Sequence, residues 1–121
     1  MTEADIDALA DEIRSADTTV ALSGAGVSTA SGIPSFRGED GIWNDWDPAS
    51  FHRRRLDADP AGFWRDRIEL RADMYGEIDP EPNAAHRALA SLEADGYLDA
   101  VLTQNVDGLH GTAGSERAVE L

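Results

Sequence analysis

Thr19-Val20-Ala21-Leu22-Ser23-Gly24-Ala25-Gly26-Val27-Ser28 is the stretch that decides the fold of this chain. An apolar run, Thr19 to Leu22, leads straight into glycines, which is how a buried strand ends at a phosphate-binding turn. Glycine lets the backbone come close to a ligand. Bare amides with a helix N-terminus behind them suit a pyrophosphate. The third glycine of the usual dinucleotide fingerprint is missing, so an ordinary tight turn is an equal reading of these ten residues alone. Downstream, residues 33–50 form a stretch rich in Gly, Pro, Asp and Trp. It is too long for a simple connector and reads as a ligand-covering loop, with Trp43 and Trp46 as its anchors on the core.

The second informative run is Thr103-Gln104-Asn105-Val106-Asp107-Gly108-Leu109-His110. Ala100-Val101-Leu102 before it reads as a short buried strand. Gln104, Asn105 and Asp107 therefore sit at or just past a C-terminal strand end, where open parallel α/β sheets bind ligands. Two amides and a carboxylate so close together suit ribose hydroxyls and a carboxamide. An Asx-turn with a helix N-cap is the structural alternative. Between the two runs the pattern predicts helices over 3–15 (with Ile6, Leu9 and Ile13 on one face), 48–56 and 60–76. A further helix starts after Asn83, runs to about Asp95 and stops at Gly96. Strands are expected at 18–23, 98–103 and 118–121. This alternation predicts an α/β fold, a parallel sheet with helices on both faces.

Composition narrows the function classes. The chain has 24 acidic and 10 basic residues and a formal net charge of -14 over 121 residues. Every basic residue is arginine. Such a balance argues against nonspecific nucleic-acid binding and against an anionic membrane surface. The acids are scattered and read as a solvated surface. An acid-rich, lysine-free composition looks like that of a protein from a high-salt cytoplasm, with an arginine-biased, GC-rich genome as the alternative. The absence of cysteine excludes disulfides and thiolate metal sites within the chain. No signal-type apolar segment follows Met1, and no run approaches a membrane span, so a cytoplasmic location is expected.

Taken together, Gly24-Ala25-Gly26-Val27-Ser28, Gly32-Ile33-Pro34-Ser35-Phe36-Arg37-Gly38, Gly41-Ile42-Trp43, Pro82-Asn83-Ala84-Ala85-His86 and Thr103 through His110 resemble the sirtuins, the NAD-dependent protein lysine deacylases. The resemblance implies a Rossmann-like (DHS-like) NAD-binding fold that is incomplete at its C-terminal side. It also implies that Gly24, Ala25 and Gly26 approach the NAD pyrophosphate, with Ser28 and Arg37 nearby. Phe36 would cover the nicotinamide ribose, and Ile33 and Asp107 would form the nicotinamide pocket. Gln104, Asn105 and Val106 would complete the site, with Asn105 and Asp107 as its catalytic members. Partners would be proteins carrying acetyl- or acyl-lysine, together with NAD and nicotinamide. The family's general-base histidine is expected directly after Leu121, and its four-cysteine zinc module further on. The chain thus reads as the N-terminal part of a sirtuin, with a catalytically inactive NAD-binding remnant or decayed gene product as the alternative.

The histidines present do not replace that base. His52 beside Arg53-Arg54-Arg55 reads as helix surface, His86 as a structural hydrogen bonder in a capping region, and His110 as a motif residue that is not the family's base. Some sirtuins that remove succinyl or malonyl groups carry a Tyr-x-x-Arg pair, and the nearest pattern here is Trp64-Arg65-Asp66-Arg67. Trp64 and Arg67 are therefore weak substrate candidates. A buried anchor and a solvated arginine on one helix is the preferred reading, and deacetylation is the default activity.

Overall fold

Three parallel strands form the sheet, in the order β1 (Val20–Ser23), β2 (Ala100–Thr103), β3 (Ala118–Glu120), in a computed structural model that describes residues 1–76 and 78–121. Val20 stands opposite Ala100 and Ser23 opposite Thr103, while Leu102 stands opposite Val119. Both long strands start later than the apolar pattern suggests, and Asp99 is the reason. Its carboxylate accepts the Thr19 N–H at 2.8 Å, and its own N–H donates to the Thr19 carbonyl at 2.8 Å. A side chain thus replaces the first rungs of the ladder.

The chain divides into two compact units, one of residues Met1–Val27 with Pro82–Leu121 and one of residues Ser28–Glu81. In the first unit, α1 (Glu3–Ser15) begins at a capping box. The Thr2 hydroxyl takes the Asp5 N–H and the Asp5 carboxylate takes the Thr2 N–H. The Thr2 N–H and the Thr2 hydroxyl both donate to the Asp5 carboxylate and hold it below its ordinary range. The predicted apolar stripe is on the helix but uncovered, for α1 buries no residue and Ile6 and Leu9 are exposed. α4 (Ala84–Ala94) starts at Asn83 and ends before Gly96, whose φ of 82° is left-handed, as the Asn and Gly positions predict. A short α5 (Leu109–Ala113) follows β2.

The sheet's two faces differ. Val101 and Thr103 of β2 are buried, whereas Val20, Leu22 and Val119 are exposed. The expectation of helices over both faces is corrected here, since the face bearing Leu22 is open in this chain.

The second unit carries the long loop. Asn44 Nδ2 donates to the carbonyls of Gly38, Glu39 and Gly41, so a single amide gathers the whole turn. A Cβ on Gly41 would lie 2.5 Å from the Arg37 carbonyl carbon, which only glycine avoids. Trp43 packs between Phe36 and Phe51, with centroids 5.2 and 5.8 Å away, and Trp46 Nε1 donates to Asp73. The tryptophans therefore anchor the loop, as expected. The helix predicted over 48–56 is split, because His52 is extended between a 3-10 turn at Pro48–Phe51 and α2 (Arg53–Ala58). Asp59 then caps α3 (Pro60–Tyr75), with Pro60 in the first turn. Arg55 bonds to Asp66 and draws its carboxyl below the ordinary range.

Trp64 corrects a second expectation. It is 53% exposed, and its neighbour Phe63, at 7%, is the buried anchor. Replacing Phe63 by alanine should therefore cost about 3–5 kcal/mol in denaturant unfolding, while Trp64→Ala should cost less than about 1 kcal/mol. Equal losses for the two variants would contradict this assignment.

Candidate functional site

The parallel pairing of β1 and β2 continues one residue beyond the strands, with the Gln104 N–H donating to the Ser23 carbonyl at 3.0 Å. This places the glycine turn and the Gln104–Asp107 segment side by side at the C-terminal edge of the sheet. There Asn105 Nδ2 donates to the Gly24 carbonyl at 2.9 Å, and the Asn105 N–H donates to Thr103 Oγ1 at 3.1 Å. The Val27 N–H closes the turn onto the Gly24 carbonyl at 3.2 Å, and a 3-10 helix begins at Ala25. Asp107 Oδ1 accepts the Leu109 N–H at 3.0 Å, and Gly108 follows in the left-handed region. The Asx-turn weighed from the sequence is thus present, and it is what aims this segment along the edge.

The two glycines of the turn differ in what they need. A Cβ on Gly24 would come within 3.3 Å of Gln104 Oε1. At Gly26 a Cβ would meet nothing within 4 Å, and the residue does not have positive φ. Among the described residues, neither a steric clash nor a left-handed backbone requires glycine at position 26.

Beneath the turn lies a polar layer that sequence reasoning treated residue by residue. Ser23 Oγ lies 2.8 Å from Thr103 Oγ1 and 2.7 Å from His110 Nε2. His110 meets His86 edge to face at 4.9 Å, and both rings are buried. His86 Nδ1 accepts the Asn83 N–H at 3.1 Å, which fixes its proton on Nε2. Burial pushes the His86 pKa down, and His110 and Arg87 push the same way while Asp107 opposes them. Beside this layer is a cavity of about 170 Å³ lined by Thr103, Asn105, Asp107, His110, Ser115 and Glu120 among others. His110 Nδ1 and Ser115 Oγ are buried there without a hydrogen-bond partner. The structural readings of His86 and His110 agree with this layer, and His52 is exposed. Among the described residues no group of three or more His, Asp and Glu side chains is placed to hold a metal ion.

Of the residues singled out from sequence, Gly24, Ala25, Gly26, Gln104, Asn105, Val106 and Asp107 share this edge, Val106 with 74% of its surface exposed. Ser28, Ile33, Phe36 and Arg37 belong to the second unit. There Ser28 and Ile33 are buried, Phe36 is half-covered by Trp43, and Arg37 is exposed. Trp64 and Arg67 lie on the exposed side of α3.

Residues 24–121 match the model of the Sir2 family. The chain belongs to the Sir2 family. An NAD-dependent protein deacetylase of Haloarcula marismortui is 74% identical over 116 residues, covering 96% of this chain and 45% of the relative. The NAD-dependent protein deacylase 2 of Archaeoglobus fulgidus is 44% identical, covering 92% of this chain and 46% of the relative. A solved Sir2 enzyme structure superposes with a TM-score of 0.83 at 40% identity, over 99% of this chain and 46% of that one. A Sir2 complex with a p53 peptide and NAD+ does so with a TM-score of 0.76 at 37% identity, over 96% and 45%. The chain spans less than half the length of the curated relatives it matches. No helix among the described residues is long and apolar enough to cross a membrane.

For this Sir2 chain, the sequence reads Asn83 as a helix cap within the Pro82–His86 motif and assigns it no place in the site. The signal passed over is the choice of an amide at a position where Ser or Asp would cap equally well. The lowered His86 pKa sets a pH window. The folded state disfavours the protonated ring, so its contribution to stability is whole above the ordinary value near 6.5 and is lost as pH falls from there toward the depressed value. Unfolding free energy should drop in that window with a slope of up to about 1.4 kcal/mol per pH unit. His86→Gln should flatten that slope in denaturant titrations, and an unchanged slope would remove His86 as its source.

Proposed function

We propose that this chain is the NAD-holding portion of an NAD-dependent protein lysine deacetylase. The observation that carries the reading is Gly26, where the fold leaves open space for a Cβ and the sequence keeps glycine. A backbone stripped of its side chain at the end of a parallel strand lets a pyrophosphate come within hydrogen-bond distance of the Ala25 and Gly26 amides. Family membership and the name of the Haloarcula relative support the same reading, as does the NAD+ in the structurally similar Sir2 complex.

In this role Gly24, Ala25 and Gly26 would seat the pyrophosphate, with Ser28 and Arg37 as polar and cationic contacts. Gln104 and Asn105 would orient the ribose hydroxyls, with Val106 beside them. Ile33 and Asp107 would form the nicotinamide pocket, Asp107 accepting from the carboxamide NH₂. Phe36 would cover the reacting face and keep water from it. NAD, when bound, supplies the nicotinamide–ribose bond that is broken and the ADP-ribose that accepts the acyl group. Because the leaving nicotinamide is already cationic, the work left to these residues is positioning and exclusion of water. Asn105 and Asp107 are the two we assign to that work at the reacting end.

The second half of deacylation needs a general base, commonly worth about 10²–10⁴-fold. His86 and His110 are buried in the polar layer and engaged there, and neither fills that role. The base and the zinc module belong, in this reading, to the portion that the longer relatives have beyond the matched segment. Acetyl-lysine is the preferred substrate, since tryptophan stands where the binders of acidic acyl groups have tyrosine and both Trp64 and Arg67 face solvent. Cytoplasmic placement, in a cell of high internal salt, goes with the composition and with a relative from a halophile. Binding of nucleic acid or membrane has no place in this reading.

Gly26→Ala should weaken NAD and ADP-ribose binding by about tenfold or more in titration calorimetry, through lost close approach. Its melting temperature should stay level or rise, because the new methyl meets open space and restricts the unfolded chain. Undiminished nucleotide binding by the alanine variant would overturn the reading of the turn.

A further inference from the structure

Two carbonyls of the glycine turn are held by side-chain amides that come from different parts of the chain. Asn105 Nδ2 holds the Gly24 carbonyl at 2.9 Å, and Asn83 Nδ2 holds the Val27 carbonyl at 2.8 Å. A trans peptide is planar, so pinning a carbonyl also aims the N–H on the other side of the same plane. The Asn105 contact thereby aims the Ala25 N–H, and the Asn83 contact aims the Ser28 N–H. The first of these planes carries the Ala25 amide and the Gly26 amide lies between the two, and these are the amides assigned above to the pyrophosphate.

We infer that Asn83 is a positioning residue of the nucleotide site, holding the glycine turn in its binding geometry through the Val27 carbonyl. This rests on the NAD-holding reading and adds to it a residue from outside the turn and outside the Gln104–Asp107 segment. Asn83 uses its two amide ends for different tasks. Oδ1 accepts from the Ala85 N–H at 2.9 Å and the His86 N–H at 3.4 Å, which caps α4. Nδ2 reaches across 56 positions of sequence to the turn. Capping needs only the oxygen, and Ser, Asp and Asn cap about equally well. The nitrogen is surplus to the cap, and it donates to a carbonyl of the segment whose amide directions the nucleotide reading depends on. Its backbone N–H is also committed, to His86 Nδ1, so the residue ties the turn, the helix start and the buried histidine layer together.

The two tasks are separable by substitution. Asn83→Ser and Asn83→Asp both keep a capping oxygen and lose the donor to Val27, and the serine variant does so without adding charge near the phosphates. Both variants and the parent would be measured as the whole 121-residue chain. The first readout is amide hydrogen exchange, resolved by residue. The Val27 N–H should exchange about tenfold faster or more in both variants, while α4 amides such as Arg87 keep their protection. The second is calorimetric titration with ADP-ribose, where affinity should fall about tenfold with the melting temperature little changed. A serine variant that binds ADP-ribose as tightly as the parent overturns the inference. So does one in which α4 loses protection together with Val27, since the turn would then be following the helix. A parent chain that does not bind ADP-ribose fails the NAD-holding reading instead, and the exchange rates alone then decide whether Asn83 holds the turn.

Discussion

The parallel pairing of β1 with β2 is the constraint on which the site depends. Parallel strands end on the same side of a sheet, so whatever follows each strand is brought to a common edge without any contact designed for that purpose. Here the pairing extends past the strands through the Gln104 N–H to the Ser23 carbonyl, and the glycine turn and the Gln104–Asp107 segment emerge in register. Sliding the register by one residue would turn Thr103 from the buried face to the open one. It would also move Asn105 off the Gly24 carbonyl. Register and site are therefore one constraint seen at two scales.

What lies under that edge is polar, which is unusual for the centre of a small sheet. Ser23, Thr103, His110 and His86 stand where aliphatic side chains would give more stability through burial. Their hydroxyls and ring nitrogens satisfy most of one another's hydrogen bonds, which is the condition for a buried polar layer to be tolerated at all. Among the buried polar atoms left without a partner, His110 Nδ1 and Ser115 Oγ belong to residues lining the cavity beside this layer. The layer costs stability and returns orientation. Directional bonds fix the strand ends and the start of α5 in a way that apolar packing, which has no preferred direction, does not.

Much of this was legible in the sequence, and the reasons are local. The strand-to-glycine transition at Leu22–Gly26 announces β1 and its turn, and Asn83 and Gly96 bracket α4 because capping chemistry is read within a few residues. The Asx-turn at Asp107 is of the same kind. What escaped was set by distant partners. Asp99 shortens β1 by bonding to Thr19, 80 positions away, and no periodicity encodes that. Trp64 was expected inside and lies outside, because Phe63 next to it takes the interior place and helical spacing admits only one of two adjacent residues to a face. The coverage of the sheet was also overestimated. Alternation shows that a strand has two apolar-compatible faces, but not whether anything packs on the second.

Charge poses the remaining physical question, since a chain of net charge -14 is an unfavourable host for the pyrophosphate proposed at the turn. The first unit does not solve it with arginine at the turn. Arg14 is bonded to Asp11, Arg87 to the Pro82 carbonyl, and Arg117 precedes β3, at the opposite end of the parallel strands from the turn. Six of the ten arginines fall within residues 53–71, on α2 and α3 of the other unit. The turn offers backbone amides instead, fixed dipoles whose attraction acts over hydrogen-bond distance. Long-range repulsion from scattered surface carboxylates behaves differently under salt. At about 1 M ionic strength the Debye length is roughly 3 Å, which removes most of that repulsion and leaves a contact at hydrogen-bond distance largely intact. A site made chiefly of pinned amides, with Arg37 as an added cationic contact, therefore suits an acidic protein in strong salt better than one made of surface cations alone, whose long-range attraction the same salt would screen.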